Sequence, residues 1–328
     1  MQVLGIQELI FLRLKTCYAA PVSRTAIQQT TVAIVGAGRL ANFLAVMLKD
    51  SGFTITEIVS RDSPGSRRRA RSLAAKVGAR AVTAHSAALD VGLLWFCVPD
   101  AEIRKAAFCL AEPALARVPA NRVEVSFAFH SSGALLSREL EPLRKLGAAV
   151  ASVHPLMTFV AGAHPSLAAV PFALEGDHAA VGLARRIVRK LGSKSFSLPA
   201  PRKAAYHAWA TMTSPMLLAF LVTLEEAAAA AGLAPADARR KSLPIIRQTL
   251  ANYERLGAAR SFSGPLVRGD LETVAKHLAA LKKHSGASQL YVALAQAALR
   301  RLPVKHQDEL KRLLSVRGRR FNACPFDL

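Results

Sequence analysis

Thr31-Val-Ala-Ile-Val-Gly36-Ala-Gly38-Arg-Leu-Ala41 is the stretch on which the fold of this chain turns. Apolar, β-prone residues from Val32 to Val35 run straight into Gly-x-Gly-x-x-Ala, and the segment Asn42–Leu48 has helical character. A strand, a glycine turn and a helix start in this order form the opening of a dinucleotide-binding βαβ unit. Gly36 permits the tight turn and Gly38 lets the backbone approach a diphosphate, with Ala37, Arg39 and Leu40 completing the bend. Ala41 keeps strand and helix close.

Outward from this turn the chain alternates. Thr54–Ser60 reads as the second strand and delivers Ser60-Arg61 roughly twenty residues after the glycines, where the cofactor's adenosine ribose lies in such units. An acidic residue there would bind the free 2′-hydroxyl of NAD. Ser60 and a guanidinium instead suit the additional phosphate of NADP, with Arg67 and Arg68 able to assist. A solvated loop cation is the plain alternative for Arg61.

Ala70–Val77 reads as helix, Ala81–Thr83 as a short strand and Ser86–Ala88 as a helical turn. The continuous apolar run Val91–Val98 reads as a strand covered on both faces, its exit at Val98-Pro99 passing the nicotinamide side. Strands are expected at 122–129, 149–153, 170–174 and 194–198, with helices after residue 100, up to about 146, and over 177–191.

From Pro201 onward only helices are expected. The first runs to Ala231 with Gly232 as its stop, ~45 Å at ~1.5 Å per residue. Others cover 235–256, 270–284, 287–302 and 307–314. Asp270 with Thr273 resembles a helix N-cap pair. The fold class is therefore α/β: a doubly wound parallel-sheet Rossmann domain over 31–200, then an all-α domain over 201–316 with a long dimerisation helix. A poorly ordered N-terminal extension (1–30) and a loose tail (317–328) flank them.

Bulk properties agree. The chain has 328 residues, 52% of them hydrophobic and 20% charged, enough for two globular domains. Its net charge of +22 invites a nucleic-acid reading, yet the one dense cluster, Arg67 to Arg71, has no interleaved aromatics and nucleic acid is not expected. Cys17, Cys97, Cys109 and Cys324 lack metal spacing, so no metal is expected and a reducing cytoplasm is. Leu4–Leu14 carries Gln7, Glu8 and Arg13 with no basic region ahead of it, which argues against a signal peptide. The uncharged run Ala208–Leu224 is interrupted by Thr211, Thr213, Ser214 and Pro215, and is read as an inter-subunit helix of a homodimer, not a membrane span.

Four features fall where this fold gathers its chemistry. His130-Ser131-Ser132-Gly133 and His154-Pro155 follow strands. Lys203, His207, Thr211 and Ser214 make a polar stripe on an apolar helix, and Ser263-Gly264-Pro-Leu-Val-Arg268-Gly-Asp270 is a Gly/Pro-rich loop. Hydride transfer to a carbonyl needs a proton donor at its oxygen and a cation at an acidic substrate's carboxylate. His154, Lys203, Ser132 and His207 are the catalytic candidates; His130, Ser131, Gly264, Arg268 and Asp270 are the substrate candidates. Each has a structural alternative: His130 and Ser132 as caps, His154 as a strand-end ring bonded to backbone, Lys203 as a surface lysine, His207 as packing, and Arg268 with Asp270 as a pair and cap.

Gly36-x-Gly38, Ser60-Arg61, HSSG at 130–133, HP at 154–155, AAYHAWA at 204–210 and SGPLVRGDLETVAKHLAAL at 263–281 together resemble Rossmann-like proteins with a DUF2520 C-terminal domain. The resemblance covers about residues 31 to 300. It implies a 6-phosphogluconate-dehydrogenase-like NADP oxidoreductase whose helical domain dimerises around a long helix. Some relatives are thought to reduce ketopantoate, which implies a small 2-oxo acid substrate. A fainter similarity to prephenate dehydrogenases implies that Ser132 and His154 hold the substrate's reacting oxygen. Hydroxyacid dehydrogenases of this superfamily use Lys followed four residues later by Asn; here Lys203 matches and His207 stands at the second place. Many relatives carry an amide near 214–215, where this chain has Pro215, a residue that kinks helices.

Overall fold

The alternation of apolar residues from Val32 to Val35 resolves into two buried faces of one strand. Val32 and Ile34 pack into one hydrophobic core, and Ala33 and Val35 into another on the opposite side. A strand buried on both faces needs a layer above and a layer below, and this one has them. The structure, a computed structural model, describes residues 30–88, 90–117, 125–160 and 170–318. The expected extension before residue 30, the start of the expected strand at 122–124 and the tail from 319 lie outside the described residues.

The chain runs β1 (Thr31–Val35), α1 (Arg39–Asp50), β2 (Thr54–Ser60), α2 (Pro64–Val77), β3 (Arg80–Thr83), β4 (Leu93–Phe96), α3 (Asp100–Arg117), β5 (Phe127–His130), α4 (Glu141–Arg144), β6 (Ala149–Pro155), β7 (Pro171–Gly176), α5 (His178–Lys190) and β8 (Lys194–Ser197). The eight strands form one sheet in the order β3-β2-β1-β4-β5-β6-β7-β8. The order reverses between β1 and β4, the place where such sheets open a crevice at their carboxyl ends. Parallel register aligns those ends: Val59 lies beside Val35, Val35 beside Phe96, Phe96 beside His130, and His130 beside Ser152.

Two expectations need correction here. The sheet is not wholly parallel: β7 runs antiparallel to β6, setting Glu175 opposite Ser152, while β7 and β8 are parallel to each other. His154 and Pro155 are also not beyond their strand, because this pairing carries β6 through Pro155. Boundaries moved elsewhere too. Helix α2 begins six residues earlier than its apolar pattern indicates, because Ser63 caps it, accepting from the Ser66 amide at 3.4 Å, and Pro64 sits in its first turn. Residues 84–86 make a turn rather than helix, and a 3-10 turn at Ser137–Leu140 plus α4 replace the longer helix expected before Leu146.

After a 3-10 turn at Ala200–Arg202 come α6 (Lys203–Thr213), α7 (Pro215–Ala229), α8 (Pro235–Leu256), α9 (Ala258–Ser261), α10 (Pro265–Arg268), α11 (Leu271–Ala280), α12 (Ser285–Arg301) and α13 (Gln307–Gly318). The single long helix of the sequence reading is thus two. Pro215 has no amide to donate back to Thr211, and the backbone at Ser214 leaves helical geometry (φ −124°, ψ −75°). The chain divides into two compact units, one up to Thr211 and one from Met212. The second has its own core of Val274, Leu278, Ala295, Leu299, Leu310 and Leu314. Its first helix carries Met216, Leu217, Leu218 and Val222 exposed. By length and composition alone, the stretch Ala200–Ala229 is apolar enough to cross a membrane.

Candidate active site

The turn after β1 is held by backbone. Gly36 adopts φ +110°, and a Cβ there would stand 2.7 Å from the carbonyl oxygen of Cys97 and 3.0 Å from Val98 Cγ1. No other residue fits at 36. At Gly38 a Cβ would find nothing nearer than 3.9 Å, so that glycine keeps space open and is not forced by packing. Gly38 is also the N-cap of α1 and supplies no side-chain cap, leaving the first-turn amides of α1 to face whatever occupies the crevice. Amphipathic spacing holds the helix in place through buried Ala41, Leu44, Ala45 and Leu48.

A cavity of about 500 Å³ opens beside this turn. Of the residues expected there, Gly36, Ala37, Gly38, Ser60, Arg61, Val98 and Pro99 line it. Arg39 and Leu40 do not; they belong to the first turn of α1. Arg69 and Ser66 line the cavity in place of Arg67 and Arg68, with Arg69 donating to Ser66 Oγ at 3.3 Å. Arg67 is turned to Asp62 at 3.2 Å. With the true start of α2 at Pro64, Ser66 and Arg69 fall one turn apart on the side that meets the end of β2, a spacing visible only once the Ser63 cap is read. His85 and Lys105 also line the cavity. The glycine cradle, the free helix amides and two guanidinium groups beside Ser60 fit a dinucleotide carrying one extra phosphate.

Pro99 leads directly into Asp100, the start of α3, and there a second, polar cluster begins. Ser132 Oγ donates to Asp100 Oδ2 at 2.8 Å and accepts from the amides of Ala134 (3.1 Å) and Leu135 (2.9 Å). The hydroxyl expected to hold a substrate oxygen is therefore committed to the fold. His130 is fully buried; its Nε2–H donates to the Leu136 carbonyl at 3.0 Å and its Nδ1 accepts from the Ser132 amide at 3.1 Å. Burial, ahead of its neighbours, lowers its pKa to about 3, so the ring is neutral and fully bonded. Ser131 accepts from the Trp95 indole at 2.9 Å. The HSSG motif thus folds its own strand end, leaving Gly133 as the residue that faces the other histidines: a Cβ on it would lie 2.8 Å from both His154 Nε2 and His207 Cδ2.

Lys203 is 2% exposed and no surface lysine. Its ammonium donates to Ser152 Oγ and sits 3.9 Å from Glu175 Oε2. Ser152 Oγ passes a hydrogen bond on to the Ser132 carbonyl at 3.0 Å. Glu175 in turn accepts from the Ser137 amide (2.7 Å) and hydroxyl (2.8 Å). Desolvation draws the Lys203 pKa down to about 8, against the opposing pull of Glu175 and Asp100. His154 Nδ1 meets the Tyr206 hydroxyl at 2.7 Å. Burial first, then Lys203 and His207, lower its pKa to about 4. The structure therefore brings Ser132, His154, Lys203 and His207 together, and adds Asp100, Ser152, Glu175 and Tyr206, which the sequence reading missed. Tyr206 lies three residues after Lys203, on the same helix face, and that spacing was its only signal.

Gly264, Arg268 and Asp270 belong to the second unit. Gly264 (φ +104°) precedes Pro265 at the start of α10, and Gly269 (φ +69°) ends it. Asp270 caps α11, accepting from the Thr273 amide at 3.0 Å and hydroxyl at 2.8 Å. Both carboxylate oxygens are engaged, so Asp270 is a cap in place of the expected substrate contact. Arg268 is exposed.

Two family models match: a Rossmann-like domain over residues 19–155 and Domain of unknown function (DUF2520) over 170–298. The chain carries a Rossmann-like domain followed by a DUF2520 domain. The second match begins before β7, so the antiparallel strand that brings Glu175 to Ser152 falls within the DUF2520 domain. Solved structures share the fold. One, provisionally named an NADP oxidoreductase, is from Bacteroides fragilis: 22% identity, TM-score 0.65, covering 83% of this chain and 98% of that one. A protein from Thermotoga maritima gives 24% and 0.64, covering 88% and 99%. A reductive aminase from Aspergillus terreus, solved with NADPH and ethyl levulinate, gives 16% and 0.53, covering 86% and 99%. No curated protein matches the sequence.

Proposed function

We propose that this protein is an NADP-dependent oxidoreductase acting on a small carbonyl compound, with a 2-oxo acid as the substrate class. The observation that carries the reading is the cavity beside Gly36 and Gly38, which joins a diphosphate cradle to Ser60, Arg61, Ser66 and Arg69. NADPH, when bound, supplies the hydride. The chain's own residues supply the rest: Gly36, Ala37, Gly38 and the α1 amides would hold the diphosphate, Arg61 and Arg69 the 2′-phosphate, and Val98 and Pro99 would line the nicotinamide side. His154 is the group at the reacting oxygen, a neutral ring whose Nε2 flanks Gly133. Lys203 is the buried positive charge behind it. The names of the solved structures with this fold, an NADP oxidoreductase and a reductive aminase crystallised with NADPH, support the cofactor.

The direct test is oxidation of NADPH by a panel of 2-oxo acids, followed at 340 nm, beside fluorescence titrations with NADPH and NADH. Tight cofactor binding without turnover of any carbonyl would leave a cofactor-binding sensor and overturn the enzyme reading. Arg61→Asp is expected to weaken NADPH by roughly tenfold or more while sparing NADH, since each charged hydrogen bond to the phosphate contributes about 1.5–3 kcal/mol. An unchanged NADPH/NADH ratio would remove Arg61 from the site.

The exposed side chains Met216, Leu217, Leu218 and Val222 on α7 are assigned to a homodimer interface, since so continuous an apolar face needs cover. Sedimentation is expected to give a dimer, and Leu218→Glu a monomer; a wild-type monomer would remove the interface. Cys97 and Cys109 are free thiols, which suits the reducing cytoplasm.

A further inference from the structure

We infer that Tyr206 is a positioning residue for the reaction proposed above: its hydroxyl donates to Nδ1 of His154 and so places the ring's single proton on Nε2. The inference rests on that reading for its purpose, though not for its geometry. Tyr206 Oη and His154 Nδ1 are 2.7 Å apart. Of the two ways to share one proton across that distance, phenol-to-imidazole is the stronger, because the phenolic O–H is the more acidic donor and the bare imidazole nitrogen the better acceptor. Burial pushes the Tyr206 phenol up to about 12, so it keeps a proton to donate.

The ring has little freedom to do otherwise. Tyr206 is 7% exposed. It meets His154 in a T-shaped contact at 5.6 Å and Phe196 at 5.9 Å, and lies tilted against Trp209 at 5.9 Å. On the far side of His154, the Gly133 backbone lies so close to Nε2 that a Cβ would clash at 2.8 Å. His154 is thus held at Nδ1 by Tyr206, and the missing Cβ of Gly133 leaves the Nε2 edge uncrowded.

That assignment matters because the ring is neutral. Burial first, and then Lys203 and His207, disfavour a second proton on it. With the proton on Nε2, the ring offers a donor to a carbonyl oxygen gaining negative charge; with the proton on Nδ1, it would present a lone pair and repel that oxygen. Substrate reduction then needs the Tyr206 hydroxyl, although Tyr206 itself touches no substrate.

Nitrogen-15 NMR of the histidine side chains, recorded on the free full-length protein at neutral pH, tests this directly. His154 is expected to show a protonated Nε2 and a bare Nδ1. In Tyr206→Phe, which keeps the ring packing, the two tautomers should mix and kcat should fall about tenfold or more with the Kd for NADPH unchanged. A wild-type spectrum with the proton on Nδ1 overturns the inference without any variant, and so does a Tyr206→Phe protein that retains both the tautomer and kcat. Failure of the wild-type protein to oxidise NADPH would instead remove the reaction, while the spectrum still reports the tautomer.

Discussion

Valine at position 36 is expected to abolish NADPH binding, with no saturable fluorescence change up to millimolar cofactor, and to lower the melting temperature. The added side chain meets two obstacles. Its φ of +110° is a conformation that costs an L-residue about 1–2 kcal/mol. Its Cβ would also sit 2.7 Å from the Cys97 carbonyl oxygen, a backbone atom at the end of β4 that cannot rotate away. The turn must then separate from β4, and the cradle opens. Gly38→Ala provides the contrast. With nothing nearer than 3.9 Å, an alanine there is accommodated by the fold. It should melt as wild type does yet bind NADPH about tenfold more weakly, roughly 1.4 kcal/mol, because the methyl enters the diphosphate's path. Wild-type affinity in both variants would mean that the cofactor does not lie over this turn.

Lys203→Met is expected to cost about 3–5 kcal/mol of stability, the range for removing one partner of a buried ion pair. For a unit of this size that is a fall in Tm on the order of 10 °C. Methionine fills the space but leaves Glu175 without its counter-charge and Ser152 without its donor, with Ser137 alone among the described residues still bonding the carboxylate. Adding Glu175→Gln should restore part of the loss, and the double-mutant cycle measures the coupling. A pH signature goes with it. The folded-state pKa of Lys203, about 8, lies below its ordinary 10.5. The unfolded chain therefore binds more protons between these values, and this group makes stability rise as pH goes from 8 toward 10.5. Below pH 8 the penalty for burying the charged amine is fully present. The slope should vanish in Lys203→Met; a variant that melts within 2 °C of wild type, with the slope intact, would show that Lys203 is not the buried cation described here.

Lys203 also shows what sequence reading cannot supply. Its position on a helical stripe with His207 is plain from spacing, as are the glycine turn, both strands flanking it, and helix α8, which runs over 235–256 as expected. Such features are local: they depend on periodicity, on cap residues and on the backbone freedom of glycine, all written within a few neighbouring residues. The Asp270 cap was legible for the same reason.

What the tertiary structure decided was the partnership of distant residues. Whether Ser132 offers its hydroxyl to a ligand or spends it on Asp100 depends on a helix thirty-two residues away. The antiparallel turn of β7 carries Glu175 to Ser152 and so makes a home for a buried lysine. Tyr206 takes its meaning only from His154, whose Nδ1 stands 2.7 Å from its oxygen. Hydrogen bonds and ion pairs act over a few ångströms, and sequence distance carries no information about them. The polypeptide itself fixed where the strands, turns and caps would be; only the folded sheet fixed which polar groups remained free to do chemistry.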